Sequence, residues 1–497
     1  MAIYQTLEQA NADMHSVEVK ETQEQFEWTK QWYPLAVVEY LDSSRPHSMQ
    51  LLGKNIVLWC DNQGKWNCFE DACPHRLVPF SEGRVEDDGT LLCAYHAWRF
   101  NSEGKCVSIP QSKDKETEAR NCANSKSCAK VYPTQIRQGL LWVWGESGET
   151  ASVESKLRQP RIVPELEESS QQEVSQLPWK FRDLPHGWVY YIENVIDPAH
   201  VPVAHHGVMG NRYTDPKYYD MPRERKLSTQ EGFSFQVTPT STEIETTIYD
   251  FQPPCHVRVY NVDKRGCKVI VILYAVPTRP GWCRYIGTQI FVKNDKGESA
   301  NGLGFFGLLP MPAWLHHILE SVFLHQDAVF LHYQEKIIAD HSQATWLDKV
   351  YTPNPQDKMV VTFRHWLEKR AGGGIPWAPE CNPDVLPTEY DRRKLFDVWN
   401  THTKNCTACQ NALKNINRAT KLSYAVSIAC LFLAVFLDAR SLAIAATSQQ
   451  ANLSVLSHSM GFWLALGGGI SGAVIGYLLG KISKMFYVYE FSHSDSK

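Results

Sequence analysis

The sequence has little net charge: 50 lysines and arginines against 54 aspartates and glutamates leave a formal −4. Such a balance excludes the broad basic surface that nucleic acid would need, so no nucleic-acid partner is expected. No secretory leader is expected in Met1–Lys30, which has no apolar core. The same stretch has no arginine, which excludes an Arg-rich transit peptide. A bacterial cytoplasmic start or a mature organelle protein is expected, with most thiols reduced. The 14 cysteines are scattered along the chain and lack the density of a secreted disulfide framework. No internal repeat is visible. One stretch, Gly302–Gly307, matches G-x-G-x-x-G, but Pro310 and Pro312 stand where a phosphate-binding helix would run, which excludes a dinucleotide site. That stretch and its continuation, GFFGLLPMPAWL, read either as an apolar lip resting on a membrane or as core packing.

What is present suffices for roughly two to four domains. After an N-terminal arm (1–31), residues 32–147 read as short strands separated by Gly, Asn and Asp turns. Residues 148–178 are acidic and Ser-rich and read as a linker. Residues 179–400 alternate long strands with helical runs near Tyr190–His206 and Ala313–Asp340, an α+β pattern. Leu395–Lys421 reads as helical and includes a segment, 401–421, that carries Cys406-x-x-Cys409. Residues 422–497 hold two apolar runs, Leu422–Ala446 and Gly461–Leu479, of the length that crosses a bilayer. The alternative for these runs is a pair of buried core helices. Asp438 and Arg440 are expected near an interface. Lys414, Arg418 and Lys421 precede the first run, Lys481 and Lys484 follow the second, and the Thr447–Met460 loop has no lysine or arginine. The positive-inside rule then places both ends on the cytoplasmic or stromal side.

Two constellations carry chemistry. Cys73-x-His75 and Cys93-x-x-His96 each mix a thiolate with an imidazole. That mixture matches a Rieske [2Fe–2S] centre, in which thiolates hold one iron and imidazoles the other. A structural zinc site is the alternative, although zinc sites more often pair like ligands. Downstream, Asp197-x-x-His200-x4-His205 offers two imidazoles to a 2-His-1-carboxylate centre for mononuclear non-haem Fe(II). His206 adjoins His205, and the x4 spacing favours His205. Cys406 and Cys409 read either as a redox-active pair or as idle thiols on a helix face.

The order of these motifs resembles the oxygenase subunits of Rieske non-haem iron oxygenases. CPHRLVPFSEGRV, ENVIDPAHVPVAHH, DAVFLHYQEK and Cys406-x-x-Cys409 ahead of two apolar runs narrow the resemblance to the pheophorbide a oxygenase family. That family includes protochlorophyllide-oxidising and translocon-associated branches. The resemblance implies an all-β Rieske domain, a helix-grip catalytic domain and a C-terminal transmembrane hairpin. It implies that His200 and His205 bind iron with Asp327 as third ligand, Glu335 being the nearest competitor. It implies that Asp197 bridges an iron-bound histidine to His96 or His75 of a neighbouring subunit in a homotrimer. It further implies a redox-regulatory role for Cys406 and Cys409, with thioredoxin as partner. The activity implied is monooxygenation of a chlorophyll-derived tetrapyrrole (pheophorbide a, chlorophyllide or protochlorophyllide) at a cyanobacterial thylakoid or plasma membrane, with O2 and electrons from a ferredoxin. The alternatives are the same chemistry on a sterol or carotenoid, and a redox-sensing translocon component without turnover.

Overall fold

The computed structural model describes residues 25–170, 173–239, 243–300, 311–339, 345–381, 386–447 and 460–493. Gly302–Gly307, most of the apolar lip and nearly all of the Thr447–Met460 loop lie outside the described residues.

The first domain is all antiparallel β-structure. Leu140–Trp144 runs between Trp32–Val37 and Thr134–Arg137 in one sheet. His47–Leu51, Lys54–Cys60, Trp66–Glu70 and Val131–Tyr132 form a second. Lys54–Cys60 explains why an unbroken apolar run can be a strand. Its side chains alternate between faces. Ile56 and Leu58 enter the large core shared with the second domain, while Val57 and Trp59 enter a smaller core of Phe69, Phe80, Phe100 and Cys73. A third sheet of four short strands, from Arg84–Val85 to Cys106–Ser108, holds the loop that carries Cys93 and His96.

The stretch read as a linker is more structured than expected. It contains the helix Glu149–Leu157, and Val174–Gln176 joins the edge of the next sheet. Trp32 Nε1 donates to the carbonyls of Ser155 and Arg158 at 3.1 and 2.9 Å, and Ala151 and Val163 are fully buried. Scattered small and apolar residues, invisible as a period, pack this segment back onto the first domain.

The second domain is built on an eight-stranded antiparallel sheet. Its long central pair, Lys268–Arg279 and Trp282–Val292, is joined by a tight turn. Lys180–Leu184 also pairs with Trp282–Val292. His200 and His205 flank the short helix Val201–Ala204, which follows Trp188–Val195, and Asp327 lies on the helix Ala313–Ala339. The expected single helix over 395–421 is interrupted: Arg392–Leu395 ends one short helix, and a new one begins only at Thr407. That new helix runs unbroken to Thr447 and pairs with Met460–Met485. Both are long and apolar enough to cross a membrane. Glycine allows their close approach: a Cβ at Gly469 would meet Leu431 at 2.7 Å, and Ser427 Oγ donates to the Gly469 carbonyl at 2.6 Å.

Candidate metal centres

The two loops of the first domain are near copies. Cys73 N–H donates to the Val78 carbonyl and Cys93 N–H to the Trp98 carbonyl, both at 2.9 Å. The carbonyl of each cysteine accepts the N–H of the fourth residue on, Leu77 or Ala97. Those two residues adopt positive φ, 60° and 57°, which turns each loop back on itself. Cys73 and Cys93 are buried, whereas His75 and His96 are half-buried at the outer end, with ring centroids 4.6 Å apart. Trp98 stacks on His75 at 4.6 Å. The Cys73 thiol hydrogen-bonds Cys93, and together with the backbone N–H groups of Tyr95 and His96 this brings Cys93 down to about 6. Partial burial, then His96 and Arg76, hold His75 below the ordinary histidine value. A thiolate and a neutral imidazole are the forms that cluster ligation needs. Among the described residues, these four donors do not converge tightly enough for one ion. That suits a two-iron cluster.

His200, His205 and Asp327 do converge: their ligand atoms lie within 4.8 Å of one another. His205 Nε2 is 3.2 Å and His200 Nε2 3.8 Å from Asp327 Oδ2. The far nitrogens are already committed. His200 Nδ1–H donates to the Asp197 carbonyl at 2.5 Å, and His205 Nδ1–H to Gln326 Oε1 at 2.7 Å. Both Nε2 lone pairs therefore face the carboxylate. His205 Nε2 is fully buried and has no hydrogen-bond partner. A buried, unpaired imidazole nitrogen beside a carboxylate fits a metal ion. His200 is raised despite its burial, because Asp197 and Asp327 favour the charged ring.

The competing residues lie elsewhere. Glu335 accepts from Gly187 N–H and from Lys336 Nζ at 3.1 and 2.9 Å. His206 Nδ1 accepts Arg212 N–H at 3.1 Å. Asp197 stays outside the triad: its Oδ1 accepts Ala199 N–H at 2.8 Å, and its Oδ2 lies 3.7 Å from His200 Nδ1. A cavity of about 560 Å³ opens onto Asp197, His200 and Asp327, with Val203, Phe330, Leu331, Trp346 and Val360 among its apolar walls. Gln326 was not foreseen. Only its position beside Asp327 on the same helix hints at it.

Cys406 and Cys409 are not on an open helix face. Both are fully buried, against His317 and His402. Burial opposes ionisation of Cys406, but Cys409 and the two imidazoles outweigh it and push the thiol down.

Residues 31–132 match the Rieske [2Fe-2S] domain family, and residues 251–345 match pheophorbide a oxygenase. Flavonoid 8-hydroxylase 2 of Ocimum basilicum, a chloroplastic protein, is 29% identical, the match spanning 95% of this chain and 87% of that protein. Pheophorbide a oxygenase of Oryza sativa subsp. japonica, also chloroplastic, is 32% identical, spanning 82% and 77%. The chain belongs to the pheophorbide a oxygenase family of Rieske proteins. As such it is a Rieske non-haem iron oxygenase whose cofactors are a [2Fe–2S] cluster and a mononuclear iron. The family's fold extends to dicamba monooxygenase bound to 3,6-dichlorosalicylic acid, with a TM-score of 0.52 at 15% identity over 69% of this chain and 97% of that one.

Proposed function

We propose that the chain is a membrane-anchored monooxygenase that oxidises a chlorophyll-derived tetrapyrrole, with electrons from a ferredoxin. In this reading Cys73, His75, Cys93 and His96 hold the cluster, and His200, His205 and Asp327 hold the mononuclear iron. When bound, the two centres supply one-electron transfer and O2 activation. The chain's own residues do the rest. Asp197 and Gln326 fix the ring orientation of His200 and His205. The buried side chains around His205 keep water from that face. The apolar walls formed by Phe330, Leu331 and Trp346 receive a flat hydrophobic substrate.

One observation carries the reading: His200 and Asp327 of the cluster, with His205 buried behind them, lie on the wall of a cavity within the usual range for small-molecule sites, roughly 300–1,000 Å³. The pigment assignment rests on the pheophorbide a oxygenase relative. A second reading, hydroxylation of a smaller aromatic, is favoured by the flavonoid hydroxylase relative, which spans more of the chain.

Three finer points belong to the same proposal. The basic residues Lys414, Arg418, Lys421, Lys481 and Lys484 flank the two apolar runs, and the positive-inside rule supports a catalytic part on the cytoplasmic or stromal side. Asp197, half-exposed beside His200, serves as the bridge to a Rieske histidine of the next subunit in a closed trimer. A thioredoxin partner for Cys406 and Cys409 draws no support from their burial.

The test is anaerobic purification with iron and sulfide counts and EPR, followed by single turnover. Pheophorbide a, chlorophyllide a and protochlorophyllide would be compared with a flavone, a sterol and a carotenoid. Product from a tetrapyrrole is expected. Product from the flavone alone would replace the substrate, and product from none would favour the redox-sensing translocon role.

A further inference from the structure

A second buried cluster lies apart from the oxygenase centres. His317 comes from the helix that also carries Asp327, His402 and Cys406 from the segment before the first apolar helix, and Cys409 from that helix's first turn. All four are buried, at 2%, 2%, 0% and 0% exposure. Their donor atoms lie within 4.8 Å of one another. His402 Nε2 is 3.2 Å from His317 Nδ1 and 3.2 Å from Cys409 Sγ. His317 Nδ1 is 3.3 Å from Cys409 Sγ and 3.6 Å from Cys406 Sγ.

The protonation pattern follows from the far side of each ring. His317 Nε2 lies 3.0 Å from the Trp179 carbonyl, and His402 Nδ1 lies 2.8 Å from the Phe181 carbonyl. A carbonyl only accepts, so each of those nitrogens carries the ring proton. In a neutral imidazole the other nitrogen is then a lone pair. Two lone pairs therefore face each other, with two sulfurs beside them. Thiol S–H groups are weak donors and would leave the nitrogens opposed. A shared cation removes the conflict, and the carbonyls become the outer partners that orient metal-bound histidines.

From this geometry we infer that His317, His402, Cys406 and Cys409 form a tetrahedral zinc site. With Zn–N of about 2.05 Å and Zn–S of about 2.3 Å, a tetrahedron has N···N edges of about 3.3 Å and N···S edges of about 3.6 Å. The observed separations fall within a few tenths of an ångström of these. The four protein donors close the coordination shell, which marks a structural rather than a catalytic site. Binding breaks two S–H bonds and forms two Zn–S bonds. Two protons go to solvent and no electrons move. The dication and the two thiolates cancel in a dry interior.

The site clips three parts of the chain together. Asp327 lies ten residues beyond His317 on one helix, about 15 Å along its axis. Cys409 begins the helix whose apolar run starts at Leu422, about 20 Å further on. Zinc there fastens the membrane hairpin to the helix that carries an iron ligand. The bound thiolates are not available for disulfide exchange.

The test uses the full chain purified under reducing conditions, incubated with Zn2+ and gel-filtered. Elemental analysis should find one zinc per chain besides the iron, and zinc-edge X-ray absorption should report two sulfur and two nitrogen neighbours. The double variant Cys406→Ser, Cys409→Ser should lose the zinc and keep the Rieske EPR signal. His402→Cys should retain zinc and shift its neighbours to three sulfurs and one nitrogen, which guards against a misfolded serine variant. Absence of retained zinc, a fourth iron in its place, or a Cys406–Cys409 disulfide in the isolated protein would each overturn the assignment.

Discussion

At the residue scale, the chemistry depends on which ring nitrogen is free. Gln326 and the Asp197 carbonyl settle this for His205 and His200 by taking the Nδ1 protons. Gln326→Ala should therefore weaken iron binding about 10–100-fold, as measured by iron retention against a competing chelator. The Rieske EPR signal should not change. Asp197→Asn should leave iron, sulfide and zinc contents intact and stop electron delivery in single turnover. Loss of iron instead would make Asp197 a ligand. Motif spacing brought out Asp197, His200 and His205, and the resemblance supplied Asp327. Neither could reveal Gln326, because a carboxamide next to a carboxylate on a helix has no signature of its own. Nor could spacing show why Glu335 is excluded: that depends on its contacts with Gly187 and Lys336 across the fold.

At the element scale, the Rieske loops were the most legible part, because Cys73-x-His75 and Cys93-x-x-His96 are each a local turn. Each loop is closed by a residue at positive φ that is not glycine. The left-handed conformation costs an L-residue roughly 1–2 kcal/mol. Ala97→Gly should then stabilise the domain by up to about 1 kcal/mol, less the entropy glycine adds to the unfolded chain. Calorimetry on the reduced protein would show it as a small rise in Tm with an unchanged EPR spectrum. The former linker was less legible. Its helix and edge strand exist because Val163 and Ala151 pack into the large core and Val174–Gln176 finds the open edge of a sheet. Without those surfaces the same residues would remain coil. The helix expected over 395–421 failed for a related reason. The chain must break there to bring His402 and Cys406 beside His317, and backbone contacts such as Val398 N–H to the Tyr487 carbonyl hold the break.

At the scale of the whole molecule, several histidines are buried as neutral rings, His186 and His256 among them. Burial brings His186 down to about 3 and His256, stacked on Tyr274, well below its usual value. The unfolded chain binds a proton at each near pH 6.5, and the folded one does not. Stability therefore holds above pH 6.5 and falls on acidification towards pH 3, by up to about 1.4 kcal/mol per pH unit for each ring. Unfolding midpoints measured from pH 7 to 4.5 should decline, and His256→Phe should flatten the decline. The trimer proposal makes a separate prediction. Chains carrying Cys73→Ser and chains carrying Asp327→Asn should each be inactive, but co-assembled they should recover part of the single-turnover activity. No recovery would confine electron transfer to one chain.

By itself, the sequence determined the donor types and local spacings of the two mixed Cys/His loops, the pairing of His200 with His205, the β-rich character of both domains and the apolar hairpin. These are short-range properties: a loop of four residues, one turn of helix, a run of apolar side chains. Only the tertiary structure decided what meets across long separations. It set Asp327 against His200 and His205, fixed the imidazoles through Gln326 and backbone carbonyls, and buried Cys406 and Cys409 against His317 and His402. Such convergence comes from packing distant segments into one core, and local spacing along the chain carries no record of it.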